Sequence, residues 1–262
     1  MSSQSGAGVA ASAEMRPAPM DEAEWMARIE LAALYRLVDW FGWTELVFNH
    51  ISLRVPGTRD QFLINPYGRW YSEVTASNLV KVDAQGKAIE GPAATVNPAG
   101  FVIHAAVHAA RADAHCVIHT HTTAGCAVAA KKDGLRHDNF YSAGLAGKVA
   151  YHDFEGITAS LEEQPRLVRS LGTRSLMVLR NHGLLALGAD VASTFRNYWR
   201  LQRACEIQVV SDAMAGESLP VPDAVLRATG ERVAAFEAAG NLDQTVFDAC
   251  LRRAGIRRAE LI

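Results

Sequence analysis

Apolar side chains in the early part of the chain recur at helical intervals. Trp25, Met26, Ile29, Ala33, Leu37 and Trp40 fall mostly three or four residues apart, which predicts an amphipathic helix. Asp21 and Glu24 have the spacing of a capping box at its start, and Gly42 ends it. The period then shortens. Phe48, Ile51 and Leu53, then Phe62 to Ile64, then Val80 to Val82, are β-rich runs. Pro56-Gly57, Pro66-Tyr67-Gly68 and Gln85-Gly86 supply turns around them. Ala99 to Ala110 is Ala-rich and apolar and predicts a buried helix. Cys116 to His121 reads as a strand, Thr122 to Lys131 as a helix, and Leu135 to Gly147 as an irregular loop.

Further on, Ser160 to Leu171 predicts a polar helix with Pro165 near its start. Ser175 to Leu179 predicts a strand, and Gly183 to Leu187 its antiparallel return. Val191 to Met214 predicts a long helix, followed by helices at about 222–239 and 242–254. Strands cluster, with helices before, between and after them. The expected fold is therefore α/β, with a central, mostly antiparallel sheet flanked by α-helices. At 262 residues the chain suits one domain with additions. The divisions expected are a disordered leader at 1–20, a domain at 21–220 and a C-terminal helical extension at 221–262.

Composition narrows the possible partners. A chain that is 49% hydrophobic and 21% charged is that of a folded protein. A net charge of -2 offers no field for a phosphate backbone, so nucleic acid is not expected as a partner. No run approaches the roughly 20 apolar residues of a membrane span, so no membrane partner is expected. Met1 to Met20 lacks the basic cluster and apolar run of a secretory signal. Cys116, Cys126, Cys205 and Cys250 are scattered and form no C-x-x-C pair, which points to a reducing, cytoplasmic location.

The clearest chemical constellation is His119-Thr120-His121 together with His182. Residues i and i+2 of a strand share a face, so His119 and His121 stand side by side where their strand runs out. His182, in Arg180-Asn181-His182-Gly183, also falls where a strand ends, and Gly183 permits a tight turn beside it. Three neutral imidazoles from two strand ends suit a divalent ion with positions left for water and substrate, and Zn²⁺, Mn²⁺ and Fe²⁺ all accept imidazole. His104 and His108 are spaced i and i+4, a pattern that can bind metal, but their apolar helix makes packing the expected role.

From about Ala27 to Gln208 the sequence resembles the class II aldolase/adducin family, and within it the adducin head domain. The matching words are Asn49-His50-Ile51-Ser52-Leu53-Arg54, Tyr71-Ser72-Glu73-Val74-Thr75-Ala76-Ser77 and Val117-Ile118-His119-Thr120-His121, in that order. Ala150-Tyr151-His152-Asp153, Leu179-Arg180-Asn181-His182-Gly183-Leu184 and Ala204-Cys205-Glu206-Ile207-Gln208 follow. The resemblance implies a single α/β domain, a homotetramer with sites at subunit boundaries, and a divalent ion, Zn²⁺ foremost, on His119, His121 and His182. It implies substrate contacts from Asn49, His50, Ser52, Gly68 and Gly100. Tyr141 would act as a general acid reaching a neighbouring subunit, or else anchor its loop as an aromatic ring. Glu73 is expected to cap the turn that follows it, the other reading being a base that replaces the missing carboxylate. The family's aldolases carry Ser-Ser-Glu where this chain has Pro98-Ala99-Gly100, so phosphate-binding hydroxyls and the acid/base carboxylate are missing together. That disfavours a sugar phosphate as substrate. Tyr67, Trp70, Tyr71 and Phe101 add aromatic character near the expected pocket.

Three functions are consistent with these residues. The leading one is a metal-dependent carbon–carbon lyase, a decarboxylase or retro-aldolase, acting on a small unphosphorylated hydroxy or oxo acid or an aromatic substrate. Loss of the carboxylate harms decarboxylation less, because that reaction deprotonates no carbon. The alternatives are a three-His Fe(II) oxygenase on the same scaffold and a non-catalytic, self-associating module resembling adducin's head.

Overall fold

Helix α1 spans Glu22–Trp40 in the computed structural model, which describes residues 20–90, 96–156, 161–238 and 240–262. Apart from Met20, the expected leader lies outside the described residues. Asp21 caps α1 through the Ala23 amide. Glu24 does not complete the predicted capping box. Its carboxylate accepts from Arg28 at 2.9 Å and Lys81 at 2.8 Å instead. The buried Arg28 guanidinium explains the difference, since a cation left unpaired in the core costs more than an open helix end.

Among the described residues, eight strands form one sheet in the order β4-β3-β2-β1-β5-β8-β7-β6. They are β1 His50–Arg54, β2 Phe62–Ile64, β3 Val80–Val82, β4 Ala88–Glu90, β5 Cys116–Thr120, β6 Val149–His152, β7 Leu176–Leu179 and β8 Gly183–Gly188. Only the β6–β7 pair is parallel, and every other neighbouring pair is antiparallel. The pattern of the sequence predicts neither β4 nor β6. Leu135 to Gly147, expected as irregular loop, contains the short helix α4 (Phe140–Ala143), capped by the Asn139 side chain.

Alternation along the strands divides the core between two faces. Ile51, Leu53, Cys116, Ile118, Leu184 and Ala186 pack toward α1, α3 (Thr123–Ala129), α6 (Val191–Ala213) and α8 (Leu242–Ala254). Val117, Met177, Leu179, Leu185 and Leu187 pack toward α2 (Pro98–Ala110) and α5 (Gln164–Leu171). Helix α7 (Asp223–Ala238) lies outside, against α4 and α8. Phe247 and Leu251 of α8 are buried in the main cluster, so this part of the C-terminal segment shares the domain's core. Among the described residues no helix is long and apolar enough to cross a membrane.

The α2 face of β1 is polar, and it is tied down. Ser52 Oγ lies 2.6 Å from His104 Nδ1 and 2.7 Å from His108 Nε2, while His108 Nδ1 lies 2.8 Å from the Ala114 carbonyl. A carbonyl only accepts, so His108 donates from Nδ1 and its Nε2 accepts the Ser52 hydroxyl proton. Ser52 in turn accepts from His104 Nδ1–H. The two histidines of α2 thus anchor that helix to β1.

Burial pushes His108 down to about 3 and holds His104 well below the ordinary imidazole range. An unfolded chain protonates both near pH 6.5. Between that pH and the depressed folded values the unfolded state binds protons that the fold refuses, so stability falls as pH falls. Urea titrations between pH 7 and 5 should show this loss beginning near pH 6.5. His108→Gln should reduce the slope by about one proton, or about 1.4 kcal/mol per pH unit at full effect.

Candidate metal centre

His50 and His119 face each other across β1 and β5, at the end of the sheet where β5 terminates. His121 follows one residue beyond β5, and His182 sits in the turn joining β7 to β8. Asn181 takes φ 56° to make that turn, a left-handed conformation asparagine tolerates. Gly183 is needed for close approach. A Cβ there would stand 2.3 Å from the Thr120 carbonyl oxygen and 3.1 Å from the His121 ring.

The three imidazoles converge. Their candidate ligand atoms all lie within 4.8 Å of one another, and the Nε2 atoms of His119 and His121 are 2.8 Å apart. His119 Nδ1 donates to the Leu184 carbonyl at 2.9 Å, which leaves its Nε2 lone pair facing the other two rings. Burial, reinforced by the neighbouring histidines, holds His119 well below its ordinary value. Burial and then His121 push His182 down to about 4. Burial also lowers His121, against an opposing pull from the Glu45 carboxylate. Three neutral nitrogen donors with one tautomer fixed by the backbone fit a divalent transition ion.

The histidines form part of the lining of a cavity of about 510 Å³, with Asn49, His50, Gly100, Phe48 and Phe154 among the other walls. The His50 ring occupies space that a side chain at position 100 would take. A Cβ on Gly100 would lie 1.8 Å from His50 Nε2. Burial pushes His50 down to about 4, with a side-chain hydrogen bond to Asn65 working the other way.

Of the residues expected at the site, His119, His121, His182, Asn49, His50 and Gly100 meet at this cavity. Ser52 lies below it, engaged by His104 and His108. Gly68 is exposed in its turn at φ 88°. Glu73 accepts from the Trp70 amide at 2.8 Å and pairs with Arg69 at 3.6 Å, capping its own short turn. Neither of these two lines the cavity. Tyr141 packs edge-on to Trp199 and lines a separate hollow of about 340 Å³ between α4 and α7. Tyr71 and Phe101 are core rings against Tyr35 and Phe62. The aromatic rings that do line the cavity, Phe48 and Phe154, were not among those expected. Phe154 directly follows a matched word and Asn181 lies inside one, so position relative to those words was the available signal. Glu45 had no such signal.

Known proteins resemble this chain in sequence and in fold. Residues 29–209 match the family model described as Class II Aldolase and Adducin N-terminal domain. A Caulobacter vibrioides protein whose name assigns it to class 2 aldolases is 51% identical over 73% of this chain and 75% of its own length. Rat alpha-adducin is 47% identical over 75% of this chain, a region amounting to 27% of the adducin. The crystal structure of an aldolase II superfamily protein from Pseudomonas syringae superposes with a TM-score of 0.86. It is 41% identical and covers 92% of this chain and 98% of its own.

The contact between Gly100 and His50 predicts a change of sign. Gly100→Ala should destabilise the protein by about 1–3 kcal/mol, because the new methyl displaces the ring. In a His50→Ala background the same substitution should stabilise by up to about 1 kcal/mol, the ordinary helix gain of alanine over glycine. Denaturant unfolding of the four proteins measures the coupling.

Proposed function

The chain belongs to the class II aldolase and adducin family, and from that premise we propose that it is a metal-dependent carbon–carbon lyase acting on a small unphosphorylated hydroxy or oxo acid. The convergence of His119, His121 and His182 at a cavity wall carries this reading. A divalent ion held there, zinc foremost, supplies a Lewis acid for the negative charge that develops on substrate oxygen. The Leu184 carbonyl keeps His119 in the tautomer that presents Nε2. His50 and Asn49 offer hydrogen bonds from the neighbouring wall, and the cavity's size suits a small molecule.

Within this class the missing carboxylate favours decarboxylation. Gly100 contributes no side chain, the His50 ring fills that space, and no aspartate or glutamate is among the described lining residues. Abstracting a proton from carbon calls for a positioned base. Releasing carbon dioxide calls only for an electron sink and a later proton donor. The proposed assembly is a homotetramer with sites at subunit boundaries, the arrangement the family resemblance implies, in which Tyr141 would serve a neighbouring copy. Exposed Phe140 and Phe236, beside the Tyr141 hollow, are consistent with a covered surface there. The identity to alpha-adducin supports a second reading, a self-associating module that keeps the histidines as a structural metal site.

The test is metal-dependent turnover. Zinc-loaded protein should release carbon dioxide or an aldehyde from members of a panel of hydroxy and oxo acids. Chelation should abolish that activity and zinc should restore it. His182→Ala should lose stoichiometric metal and lower turnover by at least about 100-fold while its unfolding midpoint stays close to wild type. Full activity after chelation would contradict the lyase reading. Bound metal with no turnover across the panel would favour the module, and dioxygen consumption with iron would replace the lyase by an oxygenase.

A further inference from the structure

Of the three clustered histidines, His121 is the least tied to the sheet. His119 lies within β5 with its Nδ1 bonded to the Leu184 carbonyl, and the His182 amide closes the turn between β7 and β8 on the Leu179 carbonyl at 3.1 Å. His121 lies one residue beyond β5. Among the described residues its ring makes one hydrogen bond, the 2.8 Å contact with His119 Nε2. That contact joins two candidate ligand atoms, so an ion held between them would replace it. The direction of the His121 ring then rests on the backbone that carries it, and on whatever holds residues 120 and 122.

Both neighbours are held by α6. Thr120, the last residue of β5, is hydrogen-bonded through Oγ1 to the Tyr198 hydroxyl. Thr122 accepts from the Gly125 amide at 3.1 Å, capping α3, and donates to Gln202 Oε1 at 2.7 Å. Tyr198 donates to the same oxygen at 3.3 Å, and Gln202 Nε2 donates to Glu206 Oε1 at 3.0 Å. A carboxylate only accepts, so Glu206 fixes which end of the Gln202 amide is nitrogen and leaves its oxygen to collect both hydroxyl protons. Thr120 then donates to Tyr198, and every bond runs toward Glu206. Thr120, Thr122, Tyr198 and Gln202 are all buried, and none of their side-chain nitrogens or oxygens is left without a partner. A buried network satisfied in this way holds one arrangement.

Resting on the metal-centre reading above, we propose that Gln202 is a positioning residue for that centre. Its carboxamide oxygen draws in the hydroxyls of Thr122 and Tyr198, and Tyr198 in turn holds Thr120, so the backbone is fixed on both sides of His121. Gln202 is not among the described residues lining the cavity, so its influence on an ion passes through His121. The role differs from that of the Leu184 carbonyl, which orients the His119 ring by bonding it directly. Here the imidazole is aimed through its main chain, by side chains that never touch it.

Cobalt(II) titration of the full chain tests this, because the ion's visible absorption band reports both affinity and ligand geometry. Gln202→Met keeps the side chain's length and removes the acceptor, so it should bind cobalt about tenfold more weakly than wild type and shift the band. Tyr198→Phe removes one hydroxyl and little volume. It should show the same change in smaller degree, and it serves if Gln202→Met does not fold. Thr122→Val should weaken binding as much as Gln202→Met, and Thr122→Ser, which restores the hydroxyl, should recover it. Wild-type cobalt affinity and spectrum in a folded Gln202→Met or Tyr198→Phe, whatever the change in its urea midpoint, would reduce the network to core packing. That result overturns the assignment and leaves the metal centre standing. A wild-type chain that takes up no cobalt would instead remove the metal centre, and this assignment with it.

Discussion

A one-residue slip of β1 against β5 would turn Ile51 and Leu53 out of the main core and drive His50 and Ser52 into it. The observed register pairs His50 with His119 and Ser52 with Val117, so the polar positions of β1 all face α2. Ser52 then meets His104 and His108, and His50 reaches the place where the chain carries Gly100. The burial of two hydrophobic residues on one face thus fixes the polar wall on the other. The three clustered histidines inherit their positions from the same strand pairing, since β5 carries His119 and β8 begins just after His182.

The exchange of side chains at the cavity follows from volume. A helix one turn before His104 could carry a large residue at position 100 only if the His50 ring were elsewhere, because the two would share the same space. Glycine at 100 and histidine at 50 are one structural choice rather than two substitutions. That choice puts a buried ring at the cavity wall, where no aspartate, glutamate, lysine or arginine is among the described lining residues. Asn49, its backbone already turned into the left-handed region, extends the neutral wall.

Much of this was legible from the sequence because it rests on strong local signals. The 3.6-residue period predicted α1, and alternating or continuous apolar runs predicted β2, β3, β5, β7 and β8. The His-x-His spacing and the His-Gly at a strand end predicted the cluster that the structure brings together. What escaped has physical reasons. β4 is short and exposed along its length, so no hydrophobic pattern marks it. β6 is four residues at the sheet's edge, held by a parallel pairing with β7 that local sequence does not encode. The Asp21/Glu24 spacing looked like a cap, yet Glu24 answers to Arg28 and Lys81, the latter far along the chain. Phe48 and Phe154 reach the cavity from loops, where position depends on the whole fold.

X-ray absorption at the metal edge of the zinc-loaded protein tests the central claim most directly. Three imidazole nitrogens at about 2.0–2.1 Å with oxygen completing the sphere, and no sulfur, is the spectrum expected. A spectrum showing sulfur ligands, fewer than three imidazoles, or an ion coordinated by water alone would contradict the account.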